Sequence, residues 1–185
     1  MNYKKYIWTL RAIFYSVLYK NIKLPSYIGK PMYLNNFENC FIGKNCRIYP
    51  GSRIELVNKN SFFEIGDNVS IGQNFHAVSY NSKLSIGNNV TISGNVFITN
   101  CDHTFDILEM HVLNQPLSSK KTKIGDYCFI GYGSVIMAGT ELGVNCVIGT
   151  NSTVKGKYPN NCMLAGSPAK IIKKYNEDLK KWIKV

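Results

Sequence analysis

Residues 123–154 read KIGDYCFIGYGSVIMAGTELGVNCVIGTNSTV, and in this stretch an aliphatic side chain returns at every sixth position: Ile124, Ile130, Ile136, Leu142, Ile148 and Val154. An α-helix presents one face every 3.6 residues and a strand every 2, so neither produces this period. Six residues are enough for one short strand and a turn. Three such units close a triangular coil, and stacked coils gather their aliphatics into one interior. The same step runs upstream through Ile42, Ile48 and Ile54, through Ile65 and Ile71, and through Ile86, Ile92 and Ile98.

The other slots of the hexad agree. Glycine follows the aliphatic at Gly43, Gly66, Gly72, Gly87, Gly125, Gly131, Gly143 and Gly149. Three places after the aliphatic stand Asn45, Gly51, Asn68, Asn74, Asn89, Asn95, Gly133, Gly139, Asn145 and Asn151. Glycine and asparagine tolerate positive φ, which a sharp corner repeated at one slot demands. The next slot takes small or β-branched residues, among them Cys46, Val69, Val90, Cys128, Ser134, Thr140 and Cys146. A sandwich or barrel would instead show two-fold alternation and irregularly spaced hairpin turns. The expected fold is all-β, a parallel β-helix.

The period breaks in places. Twenty-six residues separate Ile98 from Ile124, which is not a multiple of six, so residues of about 104–122 must protrude as a loop. Function concentrates on loops held by rigid scaffolds. A shorter irregularity lies at 77–85. Before the coils, Ile7, Leu10, Phe14, Val17 and Leu18 recur at helical spacing, predicting a basic amphipathic helix over 3–20. Packing against its own domain or a sister subunit is the favoured role of this helix, with peripheral membrane contact as the alternative. After Val154 the pattern fades, and Leu179, Trp182 and Ile183 predict a short helix that caps the open coil end. The chain therefore divides into an N-terminal helical segment, 1–24, a β-helix, 25–173, and a capping helix, 174–185.

Composition narrows the function. Twenty-two Lys+Arg against eleven Asp+Glu give the 185-residue chain a net charge of +11. Such an excess suits an anionic partner: nucleic acid, a membrane surface or a phosphorylated small molecule. Zinc-finger spacing and an arginine–aromatic RNA-binding pattern are both missing, so nucleic acid is not expected as a partner. Lys4 and Lys5 precede an apolar stretch as in a signal peptide, but Arg11 interrupts it and no A-x-A cleavage site follows. The six cysteines contain no C-x-x-C pair and read as reduced core residues of a cytoplasmic protein.

The stretch Asn100-Cys101-Asp102-His103-Thr104-Phe105 leads into the protruding loop, and regular hexads follow as far as Ala165-Gly166-Ser167-Pro168-Ala169-Lys170. Over roughly residues 40–173 this resembles the hexapeptide-repeat O-acetyltransferases, the branch that includes galactoside, maltose, capsule and lipopolysaccharide acetyltransferases. The resemblance implies a left-handed parallel β-helix and a homotrimer. It also implies acetyl-CoA as co-substrate, lying in grooves between neighbouring prisms, with no metal and with a sugar or bacterial surface polysaccharide as acceptor. The basic helix would fit an enzyme working at the inner face of the membrane.

The same resemblance places the catalytic base at His103. A sugar hydroxyl is a weak nucleophile, and imidazole titrates near neutrality, so it can take the hydroxyl proton and return it to the departing CoA sulfur. Asp102 and Asp106 are both candidates to orient the ring. By analogy the amide of Tyr132 would stabilise the oxyanion. Phe129, Gly131 and Thr150 fall where the pantetheine arm passes. Lys155, Lys157, Lys170 and Lys173 are the candidates for the CoA phosphates. The galactoside branch also uses an asparagine one coil earlier; none aligns cleanly here, which leaves the acceptor open. Acetylation of an amino sugar or nucleotide sugar is the main alternative. Serine acetylation would call for a larger helical N-terminal domain. A γ-type carbonic anhydrase would need three histidine ligands at coil corners, and His111 lies inside the loop.

Overall fold

The computed structural model describes residues 3–185. The hexads wind into a triangular prism with three parallel faces. The first face stacks Tyr27–Ile28, Arg47–Ile48, Ser70–Ile71, Thr91–Ile92, Phe129–Ile130, Val147–Ile148 and Cys162–Gly166. The second stacks Tyr33–Asn35, Arg53–Leu56, His76–Ser79, Phe97–Thr99, Val135–Ile136 and Thr153–Val154. The third stacks Cys40–Ile42, Phe62–Ile65, Lys83–Ile86, Thr122–Ile124, Glu141–Leu142 and Lys157–Tyr158. Register joins like slots: Ile71 pairs with Ile92, Ile92 with Ile130 and Ile130 with Ile148.

Every aliphatic of the six-residue series is buried in one continuous core. The corners adopt the expected left-handed conformation, with φ of 58° at Asn45, 57° at Asn89 and 70° at Gly133. Asparagines of successive coils bond each other, Asn68 to Asn89 at 2.9 Å and Asn145 to Asn161 at 3.0 Å. The glycine after the aliphatic answers a different need. A Cβ on Gly131 would lie 2.7 Å from the carbonyl oxygen of Ile148 and 2.7 Å from the amide nitrogen of Thr150, so the close approach of stacked coils requires its absence.

Helix α1 spans Tyr3–Tyr19 and packs on the first coil. Trp8 meets the rings of Tyr27 and Tyr49, Tyr15 and Tyr19 pack edge-on against Phe37, and Ala12 is fully buried. The Arg11 guanidinium donates to the Ile28 carbonyl at 3.0 Å. The packed side is thus the aromatic one. The apolar stripe read from the sequence, Ile7, Leu10, Phe14, Val17 and Leu18, faces outward and is exposed.

The expected C-terminal capping helix, 174–185, is corrected by the structure. Ala169–Asn176 and Lys181–Lys184 are strands that extend the first face as an antiparallel hairpin beyond Cys162–Gly166. The last coil presents a row of unpaired backbone groups, and a strand satisfies them where a helix would not. Tyr175 opposes Trp182 in register, with ring centroids 5.5 Å apart. Leu179, which supplied the helical spacing, lies exposed in the intervening turn.

The protruding loop is present and starts slightly earlier than expected. Cys101–His103 leaves the prism and pairs antiparallel with Leu117–Ser119, and the third face resumes at Thr122. At its base the Asn100 side chain is buried. It accepts from the Tyr80 amide at 2.8 Å and donates to the Ser82 hydroxyl at 2.9 Å, tying the hairpin to the irregular turn of the preceding coil.

Candidate active site

His103 ends the first strand of the hairpin, opposite Leu117. It lines a cavity of about 310 Å³ beside the second face, together with Glu55, Val78, Phe97, Asp102 and Leu117. The alternation of the face explains this lining. On Arg53–Leu56 and His76–Ser79 the even hexad slots point inward to the core, so Glu55 and Val78, which pair in register, point out. The cavity therefore has an apolar floor, an imidazole at the hairpin and a carboxylate on the coil wall.

Of the two acids expected to orient His103, the structure brings Asp102 to the cavity and leaves Asp106 exposed in the loop. Among the described residues, neither carboxylate bonds the His103 ring; Asp102 is engaged through its backbone oxygen, which accepts from the Ser118 hydroxyl at 3.3 Å. The other histidines have different roles. His76 Nε2 lies 2.6 Å from Glu55 Oε1, and its ring packs on Phe97 with centroids 4.9 Å apart. His111 Nδ1 accepts from the Leu113 amide at 3.2 Å, inside the loop.

Glu55 had no place in the sequence reading. Its Oε1 also accepts from Arg53 Nε at 2.6 Å. That bond holds the Glu55 carboxyl below the usual carboxylate range against the opposing pull of partial burial, and the His76 bond adds to it. Only the register of two stacked coils makes this cluster visible, because Arg53 and His76 are opposite one another across neighbouring strands.

The residues expected along the pantetheine arm form a separate ridge at the edge between the first and second faces. Gly131 and Thr150 stack on successive coils, with the Gly131 amide donating to the Ile148 carbonyl at 2.9 Å. Phe129 and Tyr132 are both exposed. The Tyr132 hydroxyl accepts from the Asn95 side chain, and its carbonyl accepts from the Asn151 amide at 2.8 Å. Among the described residues no acceptor takes the Tyr132 N–H. Tyr132 thus stands where the chain enters the second face, whereas the His103 hairpin departs where it leaves that face. A single chain does not bring the two together.

The four expected lysines share the C-terminal end of the prism but not one face. Lys155 follows the last strand of the second face, Lys157 lies on the third, and Lys170 and Lys173 lie on the terminal hairpin of the first. Lys157 is paired with Glu141 at 2.8 Å, a carboxylate that also takes Lys121 at 2.8 Å. A larger cavity, of about 750 Å³, crosses the third face. Its acids are committed to structure: Asp67 accepts from the Lys44 amide at 2.9 Å, Asp126 from the Asn88 amide at 2.8 Å, and Glu64 from Lys83 at 2.9 Å. It contains no histidine.

Comparison with known proteins gives a consistent result. Residues 121–156 match the family described as bacterial transferase hexapeptide, six repeats. WbbJ of Escherichia coli strain K12, named as a lipopolysaccharide biosynthesis O-acetyl transferase, is 34% identical over 175 residues, covering 91% of this chain and 87% of that protein. The structure of a galactoside acetyltransferase in complex with coenzyme A superposes with a TM-score of 0.66 at 26% identity, covering 100% of this chain and 91% of the other. AntD, an N-acyltransferase from Bacillus cereus solved with dTDP and 3-hydroxybutyryl-CoA, has a TM-score of 0.71 at 18% identity, covering 83% and 82% of the two chains, which is a likeness of fold.

Proposed function

Because the chain belongs to the hexapeptide-repeat acetyltransferases, we propose that it transfers the acetyl group of acetyl-CoA to a hydroxyl of a sugar in a bacterial surface polysaccharide, with His103 as general base. The observation that carries the reading is the placement of His103 on a rigidly anchored hairpin, over a cavity with an apolar floor and an ionised carboxylate. Such a cavity suits a sugar ring, whose C–H face covers apolar surface while its hydroxyls find polar partners.

In this reading His103 takes the proton of the acceptor hydroxyl as its oxygen attacks the thioester carbon. The Tyr132 N–H is free to receive the oxyanion of the tetrahedral intermediate. Collapse breaks the C–S bond, and the imidazolium returns its proton to the CoA sulfur. His103 and Tyr132 lie at opposite edges of the second face, so the reading requires a homotrimer in which each site takes His103 from one chain and Tyr132 from its neighbour. Lys155, Lys170 and Lys173 would meet the CoA phosphates at the C-terminal end, with Lys157 joining by exchanging Glu141 for phosphate.

The exposed apolar side of α1, in an N-terminal segment that also carries Lys4, Lys5, Lys20 and Lys23, supports a cytoplasmic enzyme resting on the inner face of the membrane. Among the described residues no helix is long and apolar enough to cross a membrane. The deciding experiment is thiol release from acetyl-CoA across neutral glycosides, amino sugars, nucleotide sugars and bacterial polysaccharides. Release driven by hydroxyl acceptors supports the reading. Release confined to amino acceptors would replace it with N-acetylation.

A further inference from the structure

We infer that Glu55 is the residue that grips the acceptor: its carboxylate binds a second hydroxyl of a neutral sugar ring whose neighbouring hydroxyl is presented to His103. The inference rests on the proposed reading of His103 and adds a substrate class to it.

The argument starts from how the carboxylate is held. Arg53 Nε and His76 Nε2 both bond Glu55 Oε1, each at 2.6 Å. Oε2 carries no bond among the described residues, although the side chain is only 24% exposed. Two donors thus fix the orientation of the group and leave one anionic oxygen for an outside donor. Phe97 packs on the His76 ring and holds it in place, and Phe97 also forms part of the cavity lining. The device therefore opens onto the same cavity as His103.

The chemistry selects the ligand. A preoriented carboxylate accepts hydrogen bonds from hydroxyls, often strongly, since one partner is charged. Arg53 and His76 lie outside the cavity lining, so a carboxylate ligand facing the unbonded Oε2 would set acceptor oxygen against acceptor oxygen with no donor between them. Val78 and Phe97 beside it supply apolar surface for a ring face. A neutral sugar with vicinal hydroxyls satisfies all three features. A uronic acid with its carboxylate toward Glu55 does not.

The test uses the full-length protein with acetyl-CoA. Methyl glycosides of glucose, galactose, mannose and rhamnose serve as probes, together with the deoxy analogues and, for the hexoses, the uronate counterpart of the best one. For Glu55→Gln we expect the KM of the best glycoside to rise about tenfold or more, the scale of losing one charged hydrogen bond, with the KM of acetyl-CoA changing little. Removing the gripped hydroxyl from the glycoside should weaken the wild type by a similar factor and Glu55→Gln hardly further. Where the best glycoside is a hexoside, the uronate should be the poorer acceptor for wild type and recover on Glu55→Gln. An unchanged glycoside KM in Glu55→Gln overturns the inference, as does a parallel rise for glycoside and acetyl-CoA with a lowered thermal midpoint, which marks a structural role. Thiol release with none of the glycosides overturns the neutral-sugar assignment. A fully active His103→Ala with a raised glycoside KM in Glu55→Gln would instead remove the base and leave the grip standing.

Discussion

Tyr127 occupies the corner slot that asparagine fills in the coils above and below, at Asn89 and Asn145, and it adopts φ of 58° there. A side chain with a full Cβ pays about 1 kcal/mol or more for this conformation, and the tyrosine also interrupts the asparagine ladder between Asn89 and Asn145. Tyr127→Asn is therefore expected to stabilise the fold by roughly 1 kcal/mol, raising the thermal midpoint by about 2–4 °C; calorimetry checks it, and a lowered midpoint would show that the exposed ring has a packing role. His103 is the opposite case, a residue whose loss should spare the fold. His103→Ala should keep its thermal midpoint and its CoA affinity while turnover falls by about two orders of magnitude or more. Steady-state kinetics with titration calorimetry of CoA separates the two effects, and near-normal turnover would remove His103 from the chemistry. His103 could be proposed from the sequence because it stands at the entrance to the protruding loop and matches the position of the family's histidine. Glu55 could not, because Arg53, Glu55 and His76 occupy ordinary outward slots and become a cluster only when the coils stack.

The protruding hairpin is held by a residue that no motif marks. Gln115 is buried; its amide nitrogen donates to the carbonyls of Ile107 at 3.0 Å and Met110 at 3.1 Å, and its oxygen accepts from the Ile107 amide at 3.1 Å. Removing those partners leaves part-buried backbone groups of Ile107 and Met110 without their bonds, at most about 1–3 kcal/mol each where water does not take the place of the glutamine. Gln115→Ala should release protection from hydrogen exchange at Ile107 and its neighbours while the coils keep theirs. Unaltered exchange in the loop would show that the strand pairing of Cys101–His103 with Leu117–Ser119 suffices. The C-terminal hairpin and α1 carry the same lesson. Their local spacing was helical in both, but the open edge of Cys162–Gly166 demanded a strand, and the first coil took the aromatic side of α1 instead of the apolar stripe.

For the whole molecule, the opposite edges occupied by Tyr132 and His103 predict that the active unit is larger than one chain. Light scattering on the purified protein should give three times the chain mass, with activity in that fraction. A monomer that retains full activity would contradict the shared site. The six-residue period alone was enough for the prism, its core and its left-handed corners, because each hexad must bury one aliphatic and turn once, and those demands are local and repeat along the chain. Where the period fails, the sequence also marked the loop, and the match to the family marked the histidine at its base. Only the tertiary structure decided which residues meet across coils: the Glu55 cluster, the Asn100 tie, the edge-pairing hairpin at the C-terminus and the outward face of α1. These depend on contacts between residues about twenty or more positions apart and on unpaired strand edges, and neither leaves a periodic trace in the chain.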